Sequence, residues 1–282
     1  MPTTIPTTTS STRPGSPSAG DAYFETDTKN YIIYDGANWR AYGYDSAAFG
    51  GGKSNPYALN FGSGSAESAY NDSINLFGSG DSFTYVYWVK FDSVASGQYM
   101  LFYDDASGYA NGFAQRFSAS GEITTQARIG SSGGVSFAEG GFTTGVWYMI
   151  AITYDASTLA MKYMSGGSAT LNDGGSTSIS NLDVGPQLRV GSDQNKGNTV
   201  DGIIDEVCLW DTVLPDDSLK QVYNLGNPLD VTNATGDYTE TSNLVGYWTM
   251  DAGTGSSVSD SSTNSNSLTI QGTADYTSTT PQ

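Results

Sequence analysis

Short runs of alternating apolar and polar residues recur along most of the chain, and turn-forming residues separate them. Strands of about five to ten residues joined by Gly, Asn, Asp and Ser links are typical of a β-sandwich. The pattern predicts strands at residues 57–61, 82–91, 98–103, 113–118, 122–129, 146–155, 158–164 and 188–191. One further run, residues 203–209, is rich in β-branched and apolar side chains and predicts a buried strand.

A single helix is predicted shortly after strand 203–209. Three apolar residues follow the strand at helical spacing, namely Leu219, Val222 and Tyr223. Either Asp216 or Asp217 is expected to cap the first turn, and Gly226 is expected to take the left-handed conformation that ends many helices. The pattern therefore predicts an all-β chain with one short helix near residues 216–225.

The order of this strand and helix resembles the closing strand and helix of laminin-G-like jelly-roll domains in the concanavalin A-like lectin and glucanase superfamily. The residues that carry the resemblance are Gly202, Ile204, Asp205, Glu206, Val207, Leu209, Trp210, Leu214, Leu219 and Tyr223. Three other stretches are similar to the same family, namely SFTYVYWVKF at 82–91, VWYMIAITYD at 146–155 and VGYWTMD at 245–251. The resemblance implies an antiparallel jelly-roll β-sandwich over residues 56–282, including a C-terminal element at 244–276.

The residues before the sandwich form separate units. Residues 20–48 contain three short aromatic runs, and the dipeptide Asp35-Gly36 between two of them is a strong hairpin signal. A three-stranded meander of this size buries too little surface to be stable alone, so we expect it to dock on another surface. An ordinary N-terminal hairpin is the alternative. Residues 49–55 are rich in glycine and predict a hinge.

Residues 1–19 are dominated by Pro, Thr and Ser and predict an extended arm without a core of its own. Ordering such a segment costs about 1–2 kcal/mol per residue, which contacts with a partner or a second copy of the chain would have to offset. The arm and the meander together are similar to a short module that recurs near the ends of phage virion proteins. The residues that carry this resemblance are Arg13, Pro14, Gly20, Asp35, Gly36 and Trp39.

Composition excludes several classes of function. The formal net charge is −18, with 11 Lys and Arg against 29 Asp and Glu, which argues against binding to nucleic acid or an anionic membrane. The absence of histidine excludes histidine-based triads and typical zinc sites. Cys208, within an apolar run, is expected to be a small buried residue. No apolar run resembles a secretory signal or a membrane span, so neither secretion nor membrane insertion is expected.

Acidic residues are the remaining candidates for catalysis. Glucanases of this fold use carboxylates that alternate along one strand and therefore share a face. Asp205 and Glu206 are adjacent, so regular alternation would point them to opposite faces of the sheet. Asp201 and Asp205 share a face, but no third carboxylate joins them. A non-enzymatic protein is therefore predicted, and a carboxylate pair assembled across loops is the alternative.

Calcium and carbohydrate are the ligands that the resemblance implies. Asp205 matches a family position that can help to bind Ca²⁺, with Asn60 as a second ligand. The alternative is that Asp205 accepts backbone hydrogen bonds. Tyr103, Tyr109 and Phe113 lie in or beside the loop at 104–112, where exposed rings could stack on sugars. The alternative is that these rings fill the end of the sandwich.

These features together predict a non-enzymatic structural protein of a phage virion, either a capsid decoration or a short head or tail fibre. The laminin-G-like head would serve adhesion or carbohydrate binding at a surface glycan. The N-terminal arm would bind other virion proteins, and a homo-oligomer is expected. The protein would be made in the host cytoplasm and located in the virion. A cellular carbohydrate-binding adhesin or lectin is the main alternative, and a glycoside hydrolase is the third.

Overall fold

The architecture was analysed in a computed structural model of the chain. It describes residues 6–9, 11–25, 30–42, 53–62, 66–74, 80–104, 111–130, 134–166, 168 and 170–281. Two large β-sheets pack face to face, and a small sheet precedes them. This arrangement confirms the predicted all-β sandwich.

The small N-terminal sheet has four strands in sequence order. They are β1 (Thr7–Thr8), β2 (Ala22–Glu25), β3 (Asn30–Tyr34) and β4 (Trp39–Tyr42). The last three form the predicted meander, and Asp35 accepts hydrogen bonds from the amides of Ala37 and Asn38 in the predicted turn. β1 pairs with β2 in parallel, so the arm contributes a strand that its composition does not predict.

The remaining strands form the sandwich. In the first half they are β5 (Ala58–Phe61), β6 (Ser68–Asn71), β7 (Phe83–Phe91), β8 (Tyr99–Asp104), β9 (Gly112–Phe117), β10 (Ile123–Arg128) and β11 (Gly134–Glu139). In the second half they are β12 (Trp147–Tyr154), β13 (Thr158–Ser165), β14 (Asn172–Ser178), β15 (Gln187–Val190), β16 (Gly202–Trp210), β17 (Leu244–Trp248), β18 (Ser257–Val258), β19 (Leu268–Gln271) and β20 (Asp275–Thr277).

We call the two sheets of the sandwich the front sheet and the back sheet. The front sheet has the order β14-β13-β12-β7-β16-β5-β20, and β17 also pairs with β16. The back sheet has the order β11-β10-β9-β8-β15-β6-β19-β18. The C-terminal strands join both sheets, because β19 pairs with β6 and β20 pairs with β5. The beginning and the end of the sandwich therefore lie side by side.

Strand β16 is an inner strand of the front sheet, and every one of its residues is buried. One edge of β16 pairs with β7, while the other pairs first with β5 at Gly202–Ile204 and then with β17 from Val207 onward. Gly202 is required by close packing, because a Cβ there would lie 2.5 Å from the carbonyl oxygen of Lys90.

The front sheet is buried on both faces. Its inner face packs against the back sheet in the main core, where the ring of Phe83 contacts those of Phe113 and Tyr154. Its outer face supports a second apolar cluster beneath α1 (Asp216–Tyr223), in which the rings of Trp88 and Tyr223 stack at 5.1 Å. The helix therefore covers the front sheet and leaves the back sheet as the side with a more polar outer face.

Both ends of α1 differ from the sequence prediction. Pro215 occupies the N-cap position, no side chain caps the first turn, and Asp216 and Asp217 lie inside that turn. Proline suits this position because its fixed φ and missing N–H cost nothing there. At the other end Asn224 takes the left-handed conformation, with φ of 46°, and a short 3-10 helix, Asn224–Gly226, follows. A second 3-10 helix spans Glu240–Asn243.

The N-terminal sheet approaches the helix side of the sandwich through Arg40. Its guanidinium donates to Asp35 at 2.8 Å and lies 3.8 Å from Asp237 and 4.0 Å from Asp217. All of these side chains are partly exposed, so the ion pairs contribute little stability by themselves. The predicted hinge at 49–55 lies mostly outside the described residues. Within the residues that the structure describes, no helix has the length and apolar character needed to span a bilayer.

Candidate functional site

Two groups of polar side chains in the sandwich are candidates for function. The first is buried at a β-bulge in β16, and we call it the carboxylate cluster: Lys53, Asn55, Asp205, Glu206, Tyr247 and Asp251. The second lies across the outer face of the back sheet, and we call it the cation–aromatic row: Tyr70, Tyr99, Phe102, Arg116, Arg189 and Lys196.

The bulge places two adjacent carboxylates on the same face of the sheet. Asp205 pairs with Trp88 and Cys208 pairs with Val86, so between these two pairs Glu206 and Val207 of β16 stand opposite the single residue Tyr87 of β7. Glu206 takes the left-handed conformation with φ of 47°, so the alternation of side chains is interrupted there. Ile204 and Val207 both point into the main core. The prediction that Asp205 and Glu206 point to opposite faces is therefore wrong.

The gap between β5 and β17 along β16 explains the position of the bulge. Neither strand pairs with Asp205 or Glu206, and the chain at Lys53 to Asn55 lies against them instead. The amide of Asn55 donates to Asp205 Oδ2 at 2.9 Å. The ammonium of Lys53 pairs with Glu206 and lies 3.1 Å from Asp251.

The two adjacent carboxylates of the cluster, Asp205 and Glu206, are closed to solvent. Asp205 is fully buried, Glu206 is 2% exposed and the Lys53 side chain is 12% exposed. Tyr247 donates its hydroxyl proton to Glu206 Oε2 at 2.5 Å. A hydrolase needs carboxylates that a substrate and a water molecule can reach, and this pair is covered and already paired with protein groups.

Burial shifts the ionisation of the cluster. It raises the pKa of Glu206 to about 7, although Lys53 and Tyr247 act in the opposite direction. Burial and the neighbouring charge of Glu206 raise the pKa of Asp205 well above its ordinary value. Burial opposes the charge of Lys53, but the carboxylates of Glu206 and Asp251 raise its pKa above the ordinary value. The ammonium of Lys53 is thus the counter-charge for three carboxyl groups, those of Asp205, Glu206 and Asp251.

The two predicted calcium ligands lie on neighbouring strands. Asn60 is opposite Ile203 in the β5–β16 pair, which places it on the face that Asp205 shares. Within the described part of the chain, no group of three or more Cys, Asp or Glu side chains is arranged to hold a metal ion. Asp205 Oδ1 accepts the backbone N–H of Glu206 at 2.9 Å. Calcium binding by Asp205 and Asn60 stays a prediction.

Two of the three predicted sugar-binding rings are not at the surface. Tyr103 and Phe113 are fully buried in the main core, with ring centroids 6.3 Å apart. In this conformation neither ring offers a face to a ligand. Tyr109 lies outside the described residues.

The cation–aromatic row crosses the outer face of the back sheet from β9 to β6. Arg189, Phe102 and Tyr70 alternate with residues of the main core along their strands, so they point outward. The Arg189 guanidinium lies 5.3 Å from the centre of the Tyr70 ring, and the Lys196 ammonium lies 3.4 Å from it. Arg116 lies 5.9 Å from the Tyr99 ring centre.

Exposure differs along the row. Arg189 and Phe102 are 2% exposed and form its floor, whereas Tyr70, Tyr99, Arg116 and Lys196 are partly exposed. Asp72 pairs with Arg189 and lies 3.4 Å from Lys196. The row therefore offers aromatic rings and cationic donors on the side of the sandwich that the helix leaves uncovered.

Sequence reasoning missed this row because its members lie far apart in the chain. The signal that could have found it is alternation within two strands: Arg189 stands between Leu188 and Val190, and Arg116 follows Gln115. Both arginines thus occupy outward positions of strands whose inward residues are buried. Only the pairing of β6, β8, β9 and β15 brings them together.

Comparison with solved structures finds one protein that shares the fold and others with a weaker likeness. A candidate carbohydrate-binding protein from Bacteroides ovatus aligns over 94% of this chain and 71% of its own, with 14% identity and a TM-score of 0.56. Mouse laminin α1 domains LG4-5 align over 59% of this chain and 44% of their own, with 12% identity and a TM-score of 0.45. The enzymatically active domain of tailspike protein 2 from bacteriophage CBA120 aligns over 65% of this chain and 28% of its own, with 15% identity and a TM-score of 0.46. At 14% identity the first likeness shows a shared fold alone, and the last two are weaker still.

No curated protein matches the chain. A profile of the laminin-G type, described as the concanavalin A-like lectin/glucanases superfamily, matches residues 61–220, which is more than half of the chain. The matched segment begins at the end of β5 and ends within α1, so it contains every residue of the resemblance recognised around β16 except Tyr223. The chain therefore belongs to the concanavalin A-like lectin/glucanases superfamily.

Proposed function

We propose that the sandwich is a non-enzymatic carbohydrate-binding domain whose binding surface is the cation–aromatic row. The observation that carries the proposal is the pairing of partly exposed tyrosine rings with outward cationic donors on the back sheet. Tyrosine rings stack on the apolar faces of sugars, and charged donors bond to sugar oxygens. The likeness in fold to the candidate carbohydrate-binding protein from Bacteroides ovatus supports this proposal.

The absence of catalysis is part of the proposal and has a physical reason. Asp205 and Glu206 are enclosed by protein groups, and a pair so closed cannot admit a glycosidic bond and a water molecule. The row itself consists of cations and aromatic rings. The exposed carboxylate that pairs with it is that of Asp72. A binding surface without an acid–base pair is expected to bind a glycan without cleaving it.

Binding to an array of immobilised glycans tests the proposed function. We expect the intact chain to bind a subset of the glycans and to release no reducing sugar from them. Replacing Tyr99 with alanine should weaken binding by about tenfold, because a stacked ring contributes about 1 kcal/mol or more. Tyr57, which is 38% exposed and immediately precedes β5 of the front sheet, provides the matched control. Failure of the intact chain to bind any member of the array would contradict the proposal.

The finer part of the proposal is that the protein is a structural component of a phage virion, attached through residues 1–45. It rests on the resemblance of the N-terminal segment to a virion module. The parallel strand β1 and the ion pair of Arg13 with buried Glu25 are consistent with an arm that folds with its meander. We expect other virion proteins to bind this segment and the sandwich to face outward.

Deletion of residues 1–45 tests the attachment. The truncated protein is expected to melt cooperatively, because its two large sheets and both apolar clusters remain. It should no longer be incorporated into phage particles, whereas residues 1–45 fused to an unrelated reporter should be. Incorporation of the truncated protein at the wild-type copy number, measured by mass spectrometry of purified particles, would place attachment on the sandwich instead.

A further inference from the structure

The charge of the cation–aromatic row is opposite to that of the rest of the protein. The chain carries a formal charge of −18 and only 11 lysines and arginines. Three of these cations, Arg116, Arg189 and Lys196, lie in the row. Asp72 pairs with two of them, which leaves the row with a net positive charge. A neutral sugar does not require such a concentration of cations, because amide, hydroxyl and carboxylate groups bind its hydroxyls equally well.

Arg116 is the cation of the row without an anionic partner. No carboxylate in the described part of the chain lies within 4.0 Å of its guanidinium, and its Nε is a buried donor without a hydrogen-bond acceptor. The guanidinium lies over the ring of Tyr99, 5.9 Å from its centre. A buried donor left unpaired is costly, and such groups in native proteins often await a ligand or a water molecule.

The chemistry of guanidinium specifies what could complete this site. Its planar fork of donors matches the two oxygens of a carboxylate or sulfate, and a nearby aromatic ring can support the apolar face of a sugar. Arg116 on β9 and Tyr99 on β8 are direct cross-strand partners, so the cation and the ring have a fixed relative position. Sheet strands hold such a pair more rigidly than a loop would.

We infer that the row selects saccharides that carry an acidic group, a carboxylate or a sulfate, and that Arg116 binds this group while Tyr99 contacts the sugar ring. This inference rests on the proposed function and names the chemical class of its ligand. Lys196, 21% exposed in its side chain, adds a second positive charge for a longer acidic chain. Exposed Asp72 leaves room for a sugar hydroxyl to donate to its carboxylate.

The test uses the intact chain on an array with neutral, uronate, sialylated and sulfated glycans. The inference predicts binding to acidic members and weak or no binding to their neutral counterparts. Calorimetry with oligogalacturonate, its methyl ester and a heparin oligosaccharide then separates carboxylate from sulfate recognition. Raising the salt concentration should weaken binding to the acidic probes and leave any binding of the methyl ester unchanged.

Variants of Arg116 sharpen the test. Arg116→Gln should weaken binding of the preferred acidic probe by about 10–100-fold, as loss of a charged hydrogen bond implies. Arg116→Lys should recover only part of the loss, because lysine keeps the charge but not the fork. Lys220→Gln removes the same charge from α1 and should bind like the wild type. Melting curves of the three variants check that each is folded.

The possible outcomes separate the inference from the proposed function. Equal binding of neutral and acidic glycans, with Arg116→Gln unchanged, would overturn the inference and leave carbohydrate binding intact. Binding to acidic probes that Lys220→Gln weakens as much as Arg116→Gln would also overturn it, because the effect would then be one of overall charge. Binding to no glycan of any kind would overturn both.

Discussion

The Lys53→Met variant is expected to unfold with a free energy about 3–5 kcal/mol lower than that of the wild type at about pH 8. Lys53 is the one cation of the carboxylate cluster within the described residues, and its ammonium pairs with Glu206 and lies 3.1 Å from Asp251. Methionine keeps most of the aliphatic chain but leaves these carboxylates buried without a counter-charge. Urea denaturation followed by tryptophan fluorescence measures the loss.

Lys220→Met is the matched control for this prediction. Its ammonium pairs with Asp217 on the surface of α1, with side chains 33% and 51% exposed, and such pairs contribute less than about 1 kcal/mol. Adding Glu206→Gln to Lys53→Met should restore part of the lost stability. The double variant no longer has the Glu206 carboxylate, which Lys53→Met leaves buried without a counter-charge. Equal losses from the two lysine variants would contradict the account of the cluster.

The free energy of unfolding is expected to fall as the pH rises from about 4.5 to about 7. Burial raises the pKa of Glu206 from 4.5 to about 7 in the folded protein. Between these values the folded state binds more protons than the unfolded state, so deprotonation favours unfolding. The contribution of Glu206 is about 3 kcal/mol, since each unit of pKa corresponds to about 1.4 kcal/mol. The raised pKa of Asp205 acts in the same direction.

The Glu206→Gln variant isolates this contribution. General repulsion in an acidic protein also grows with pH, but it affects the wild type and the variant almost equally. The slope of unfolding free energy against pH should therefore be shallower in Glu206→Gln than in the wild type. Asp173→Asn, which removes an exposed carboxylate on β14, should keep the wild-type slope. Parallel curves for the wild type and Glu206→Gln would show that Glu206 titrates normally.

Local periodicity was sufficient to predict the strong strands but not the irregular position that matters most. β7, β12 and β16 have apolar, β-branched and aromatic residues, and their predicted positions agree with the structure within about one residue. The bulge at Asp205 and Glu206 could not be predicted, because it lies in the gap between two pairings of β16. The pairing with β5 stops at Ile204, and the pairing with β17 starts at Val207. Alternation applied across a bulge gives the wrong face for every residue on one side of it.

Weak edge strands were missed for a different reason. β14 has the sequence NDGGSTS, which has low strand propensity, and it forms because β13 offers an unpaired edge. β1 consists of two threonines in the segment that predicts an extended arm without a core of its own, and it pairs with β2. In each case the hydrogen-bonding partner supplies the stability that composition does not.

The cation–aromatic row shows the same limit for a functional site. Tyr99 and Arg116 come from different strands, and only the cross-strand register of β8 and β9 makes them neighbours. A search of the sequence for exposed aromatics found Tyr103 and Phe113 instead, which alternate inward and are fully buried. Strand alternation identifies the outward residues, but it cannot show which of them share a surface.

The central claim is that the outer face of the back sheet binds acidic saccharide. The most direct measurement is a nuclear magnetic resonance titration of the isotope-labelled intact chain with the acidic glycan that the array identifies. The account predicts that the resonances of Tyr70, Tyr99 and Lys196 and the Nε–H of Arg116 shift together with increasing ligand. Shifts confined to α1 and the front sheet, or to the loops at the rim of the sandwich, would contradict it.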